Sequence, residues 1–472
     1  MYRMRSALRI LLPAALLAAG LTPAAAPALA GTAAPAGVTQ YTGTFKDGAT
    51  YLIQVPANWN GTLFLYSHGY VVPGSNNPAT DVGDPLTGGW LLGHGYALAG
   101  SSYSTTGWAV QQALPDQIHT LNVFDTRVGP PQHTIAWGHS LGGMITAGLI
   151  QQYPGRFSAA LPMCGVLSGG VATWNTALDA EFAFQQLIDP SVSIVNITNP
   201  GPNLLAAETA GAAAQKTPQG RARLALVSAL ADTPGWFTPL SPEPGAKAYK
   251  AQEANQYLWG SQVTFPFVFA LRAELEARAG GNPSWNTGVN YTTDLMKSAD
   301  LNEVVALYKD AGLSLSTDLA ALAAAPRISA NPASTRYLEK FITSSGDLRI
   351  PVLTMHTVGD GLVVPENEQA YSAAVAKSGD SELLRQVFVS RAGHCAFTPA
   401  ETITAARVLL SRLSTGDWNA AALTPPEMNK QAVTLGPTYN VFTSGGTLVP
   451  TAPAFLHFTP PPYLRPFDRP AH

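Results

Sequence analysis

Five consecutive residues, Gly138-His139-Ser140-Leu141-Gly142, hold a serine between two glycines in the spacing G-x-S-x-G. That spacing suits a nucleophilic hydroxyl. A serine presented on a sharp strand-to-helix turn needs tiny flanking residues, because larger ones would collide with the neighbouring strands and the following helix. The apolar run before it, ending at Trp137, and the helix-like stretch Met144 to Gln152 after it supply the setting, although a plain Gly-rich turn would read the same way. Such a serine needs a base, with an acid preceding that base along the chain. Only His356, His394, His457 and His472 follow the apolar run Phe157 to Cys164. His472 is the last residue, His457 lies in a Pro-rich tail, and His356 is inside an apolar run. His394, in Ser390-Arg391-Ala392-Gly393-His394, is therefore the candidate base. The candidate acid is Asp360, in Val358-Gly359-Asp360-Gly361, where a carboxylate can accept the histidine's second ring N–H and fix its tautomer. Asp347 stands before the strand and so at the wrong end; Asp380 and Glu366 are weaker competitors.

Acyl transfer also needs donors where negative charge develops on the carbonyl oxygen. One candidate is the backbone N–H of Leu141, at the start of the helix after the serine. The other is the N–H of Tyr70 in His68-Gly69-Tyr70, where Gly69 lets the backbone come close. The elements that must position these groups read as strands alternating with helices. Thr62 to Ser67, Tyr96 to Gly100, Thr134 to Trp137 and Phe157 to Cys164 are short, nearly continuous apolar runs. Runs of that kind belong to a parallel sheet covered on both faces, so the fold class is α/β. Residues 41–45 and 51–55 read as an antiparallel pair ahead of it. The alternation stops near Gly165, gives way to an Ala-rich helical stretch over residues 166–346, and resumes at Ile350 to His356 and Leu384 to Val389. The expected organisation is a core in two parts, 38–165 and 347–415, a helical insertion at 166–346, and a Pro-rich extension at 416–472 that, with Pro425-Pro426 and Pro460-Pro461-Pro462, reads as an extended segment wrapping the surface.

The whole chain has 472 residues, 46% hydrophobic and 12% charged, with a net charge of −3. No basic stripe marks a nucleic-acid partner, and disorder is disfavoured by low charge with many apolar residues. Arg3, Arg5 and Arg9, the apolar run Ile10 to Leu21, and Ala28-Leu29-Ala30 form a signal-peptide pattern over residues 1–30, followed by a small-residue linker at 31–37. The mature protein is expected to be secreted, with no stable membrane insertion. An exported chain with two cysteines favours one disulfide, Cys164 to Cys395, over two buried thiols. No Cys/His cluster or Gly-rich phosphate motif is present, so neither a metal nor a cofactor is expected.

The serine turn, the later Asp-Gly and Gly-His positions and the helical insertion together resemble the α/β-hydrolase superfamily, in its secreted serine esterase and peptidase-like branch. The resemblance covers roughly residues 38–415. It implies a mostly parallel, eight-stranded sheet with a large helical lid inserted before the acid-bearing strand. It also implies a covalent Ser-His-Asp mechanism using Ser140, Asp360 and His394. Cys395 directly after the base is similar to tannases and fungal feruloyl esterases; the position before the serine, where those enzymes carry the partner cysteine, is here His139. The expected activity is hydrolysis of a small-molecule or polymeric carboxylic ester. A peptidase of the same superfamily would need carboxylates converging in the lid, for which Glu181, Glu208 and Glu253 are available. A silent binding protein on this scaffold is the third possibility. The lid aromatics, among them Phe182, Phe184, Trp236, Tyr257, Trp259, Phe265, Phe267 and Phe269, read either as a pocket wall or as the lid's own core.

Overall fold

The computed structural model describes residues 37–467. The expected signal peptide (1–30) lies outside the described residues, as does all of the 31–37 linker except Gly37. Strands β1 (Val38–Thr44) and β2 (Thr50–Pro56) form an antiparallel pair, with Thr44 opposite Thr50 across a turn in which Gly48 takes a φ of +95°. Then come β3 (Thr62–Ser67), β4 (Ala97–Ser101), β5 (His133–His139), β6 (Ala159–Met163), β7 (Val352–Gly359) and β8 (Leu384–Ala392). These six run parallel to one another, and β2 joins them antiparallel to β4.

The sheet order is β1-β2-β4-β3-β5-β6-β7-β8, closed at its far edge by a ninth, two-residue strand. The centre of the sheet is dry: β3, β4 and β6 are buried at every position. Such strands show no polar alternation because helices cover both of their faces. One core lies between the sheet and helices Val110–Arg127 and Leu141–Gln152, and another lies between the opposite face and helix Pro399–Thr415. The latter helix starts with a complete capping box, in which Thr398 accepts from the Glu401 N–H and Glu401 accepts from the Thr398 N–H.

Although β6 and β7 are neighbours, the chain between them leaves the sheet and forms helices from Gly170 to Lys340. This segment has a core of its own, with Phe182, Phe184, Phe265, Phe269, Tyr291 and Tyr308 buried together. Two wide π-type turns, Gly260–Thr264 and Phe267–Leu271, flank Pro266, whose missing N–H disrupts the ordinary helical ladder.

The C-terminal region corrects two expectations. Pro425 and Pro426 do not extend the chain: they open the helix Pro425–Thr434, since proline's fixed φ suits the first helical turn, where no N–H is needed. The implied sheet of eight strands gains a ninth. After a separate hairpin of β9 (Val441–Ser444) and β10 (Thr447–Pro450), β11 (Phe455–Leu456) pairs antiparallel with β8, Phe455 opposite Val389. It covers backbone groups that the edge strand would otherwise leave open. Among the described residues no helix is long and apolar enough to cross a membrane.

Candidate active site

Ser140 follows β5 and precedes the helix Leu141–Gln152, with φ 60° and ψ −126°. A non-glycine residue with this backbone must be held by its surroundings. Its N–H donates to the Met163 carbonyl at 3.0 Å, and β3 presses close from the other side. A Cβ on Gly138 would stand 2.4 Å from the Ser67 carbonyl oxygen, and one on Gly142 only 1.9 Å from it. Both glycines are thus dictated by the approach of β3. Gly69 plays the same part across the gap, where a Cβ would meet the Ser140 Cβ at 3.3 Å.

His394 is carried by the loop between β8 and the helix Pro399–Thr415. Its Nε2 lies 2.8 Å from Ser140 Oγ, and its Nδ1 lies 2.7 Å from Asp360 Oδ2. With Nδ1–H donating to the carboxylate, Nε2 is left to accept from the serine hydroxyl. Asp360 is fully buried, and its other oxygen accepts from the N–H groups of Leu362 and Val363 at 3.0 Å each. The ends of β7 and β8 converge here: Gly393 N–H donates to the Gly359 carbonyl at 3.1 Å, and Thr357 Oγ1 donates to the Gly393 carbonyl at 2.8 Å. A disulfide joins Cys164, at the end of β6, to Cys395, directly after the histidine.

Asp347, Asp380 and Glu366 do not reach His394. Asp347 lies 3.6 Å from Arg349, Asp380 accepts from the Leu348 N–H, and Glu366 begins the helix Glu366–Ser378. His457 is exposed, and His472 lies outside the described residues. His139 is buried beneath the site, its Nδ1 3.2 Å from the Tyr66 hydroxyl. Burial, with a smaller contribution from His394, pushes it down to about 4, so it is neutral at ordinary pH.

A cavity of about 940 Å³ opens over Ser140. Leu141, Tyr70 and His394 border it near the serine, and Trp174, Phe184, Tyr257, Phe265, Phe267 and Phe269 line its helical side. The Leu141 N–H belongs to the first turn of its helix, where no intrahelical acceptor exists. The Tyr70 ring meets Phe267 edge-on at 5.1 Å. Both readings of the aromatics therefore apply to different faces of one cluster: Phe182 is core, and Phe267 is wall. Of the three carboxylates a peptidase would need, Glu181 alone borders the cavity, and it faces Arg272 at 3.6 Å. Glu253 is taken by Arg221 at 2.6 Å.

Three groups at the site had little to mark them in the sequence. Tyr463, from the C-terminal region, borders the cavity and bonds Thr176 Oγ1 at 3.2 Å. Asp81 borders it as well, with Oδ2 unpaired and burial raising its carboxyl to about 7. His356 lies next to Asp360, paired with Glu368 at 3.0 Å. Thr354 and His356, two apart in an apolar strand, are the one trace of that pairing, since both reach the same carboxylate.

No family model matches the chain. In sequence it is similar to an o-phthalyl amidase from Xanthobacter agilis, 29% identical over 426 residues that cover 83% of this chain and 90% of that protein. Similar solved structures include feruloyl esterase B from Aspergillus oryzae, with a TM-score of 0.39, 13% identity and 80% of each chain covered. An esterase from Aspergillus oryzae gives a TM-score of 0.38, 14% identity and 80% of each chain. The acylaminoacyl peptidase of Pyrococcus horikoshii gives 0.37, 8% identity, 76% of this chain and 38% of its own. The strand order observed here, with a glycine-flanked serine on the turn after β5, gives the chain a mostly parallel α/β sheet with that serine at its centre.

Proposed function

We propose that the protein is a secreted serine hydrolase that cleaves carboxylic esters through an acyl-enzyme on Ser140. The observation that carries this reading is the hydrogen-bonded series Ser140–His394–Asp360, at 2.8 and 2.7 Å, opening into a mainly apolar cavity. His394 Nε2 takes the hydroxyl proton as Oγ attacks the ester carbonyl. Asp360 holds the imidazole in the required tautomer and stabilises the imidazolium. The N–H groups of Leu141 and Tyr70 receive the developing oxyanion. His394 then protonates the leaving alcohol and activates the water that releases the acid.

In this reading the helical segment 166–346 is a lid whose aromatics accept an aryl or branched acyl group. Residues 1–30 are removed on export, near Ala30, into a compartment where the Cys164–Cys395 disulfide persists. The similarity to the o-phthalyl amidase favours a second reading, hydrolysis of aryl amides by the same residues. An exopeptidase is less supported, because Glu181, Glu208 and Glu253 do not converge on the cavity. The test is a matched panel of p-nitrophenyl esters of rising acyl size and the corresponding aryl amides, run with the mature chain and Ser140→Ala. Ester turnover that falls by roughly 10⁴–10⁶ in the variant is expected. Amide turnover exceeding ester turnover would select the second reading, and turnover unchanged by Ser140→Ala would overturn both.

A further inference from the structure

Next to Asp360 lies a second histidine–carboxylate pair. His356 sits on β7, four residues before Asp360, and is wholly buried. Its Nε2 is 2.8 Å from the Val363 carbonyl oxygen and its Nδ1 is 3.0 Å from Glu368 Oε1. A carbonyl oxygen can only accept, so Nε2 must carry a proton. The Glu368 carboxylate is likewise an acceptor: its Oε2 takes the Thr354 hydroxyl at 2.5 Å and the Gln386 amide at 2.6 Å. With Glu368 ionised, Nδ1 donates as well, and the ring is an imidazolium flanked by two acceptors.

Three titratable groups act on this ring, and a fourth acts on its partner. Glu368 is in contact, Asp360 Oδ2 lies 3.7 Å from Nε2, Glu366 acts on it from the start of the same helix as Glu368, and Tyr371 faces Glu368 from the next turn. Burial alone would push His356 down. The Glu368 hydrogen bond and charge, the Asp360 charge and the Val363 carbonyl together lift it above the ordinary histidine value.

The geometry has one further consequence. Val363 donates its N–H to Asp360 Oδ1 and accepts from His356 through its carbonyl. The turn that aims the acid is thus pinned on both sides of one residue. We infer that His356, held as an imidazolium by Glu368, is a positioning residue that fixes the 360–363 turn and sets a buried positive charge next to Asp360, so that Oδ2 is presented to His394. This inference rests on the reading of Asp360 as the acid of the catalytic series. It assigns no chemistry to His356, which touches neither Ser140 nor the cavity.

The experiment compares the mature chain with His356→Gln, Glu368→Gln and Ser140→Ala. Each is assayed on p-nitrophenyl butyrate from pH 5 to 9 and for the rate of fluorophosphonate labelling at Ser140, with Tm recorded alongside. His356→Gln keeps a donor and removes the charge. It is expected to lower kcat and the labelling rate about 10- to 100-fold together, with KM within twofold. Glu368→Gln, which preserves shape and an acceptor, is expected to shift the alkaline limb of the kcat profile to lower pH, as the imidazolium loses its carboxylate. A folded His356→Gln with kcat and labelling within twofold of the parent would overturn the inference.

Should that variant fail to fold, histidine-selective NMR of the parent chain decides. Two protonated ring nitrogens on His356 at pH 7 support the inference, and one overturns it. Ser140→Ala retaining full turnover would instead remove the serine mechanism itself. That failure is distinguishable, because the variant leaves His356 untouched.

Discussion

At the scale of single residues, the site depends on backbone proximity as much as on reactive side chains. Gly142 is held 1.9 Å, measured to an ideal Cβ, from the Ser67 carbonyl, so a methyl group there displaces either the serine turn or the end of β3. Gly142→Ala is expected to cost at least about 1–3 kcal/mol and to abolish fluorophosphonate labelling; thermal unfolding beside labelling checks it. Gly89 offers the contrast, since nothing lies within 4 Å of a Cβ there, and Gly89→Ala should leave Tm within about a degree. The G-x-S-x-G spacing was legible because β3, β5 and the helix must all pass one point, which leaves a mark in residue size. His356 was not, because a buried imidazole and the carboxylate that neutralises it are twelve residues apart, on a strand and a helix, and each reads alone as an isolated polar residue in an apolar setting.

At the scale of elements, the parallel strands were legible as apolar runs, and β3 begins and ends where its run does. The second core of the helical segment was not, since an aromatic at helical spacing does not reveal whether its neighbour is another helix or an open cavity. The short β11 was equally hidden: two residues in a Pro-rich region carry no periodicity, and only the uncovered edge of β8 gives them a place. The disulfide acts on this scale, tying the end of β6 to the loop that carries His394. Replacing both Cys164 and Cys395 by Ala is expected to lower stability by about 2–5 kcal/mol. It should lower kcat more than KM, since the loop carries His394, the proposed base, and no other residue of the cavity wall. Denaturant unfolding and steady-state kinetics of the double variant measure both.

For the whole molecule, the buried acids set how stability responds to pH. Burial raises Asp300 to about 7, Glu181 and Glu366 to about 8, and Glu303 to about 9. An acid whose value is higher in the folded chain binds more protons there than in the unfolded chain between the two values, so stability falls as pH rises through that window. His356 adds the same sign: its value is raised, so its contribution is complete below the unfolded histidine value and is lost at higher pH. His139, pushed down to about 4, has the opposite sign up to the ordinary histidine value, so the clear expectation is that Tm falls steadily from about pH 7 toward pH 9. A flat or rising profile by calorimetry would contradict this. The tail also acts across the molecule, with Tyr463 N–H bonded to Gln369 and Arg465 paired with Asp179 of the helical segment. A chain ending at Leu456 keeps β11 and loses both ties. Its kcat/KM for bulky esters is expected to fall several-fold while that for acetate esters holds.

The bond between Cys164 and Cys395 spans 231 positions of sequence, and the entire helical segment lies between its ends. In covalent terms the protein is a ring with two tails. A protease that cuts once inside the ring, for instance in the exposed stretch 241–247, opens it without releasing a fragment. The nicked species should keep its full mass on a non-reducing gel and separate into two pieces only after a reductant is added. A clipped molecule of this kind stays in one piece for as long as the disulfide is oxidised, its halves tethered beside the serine.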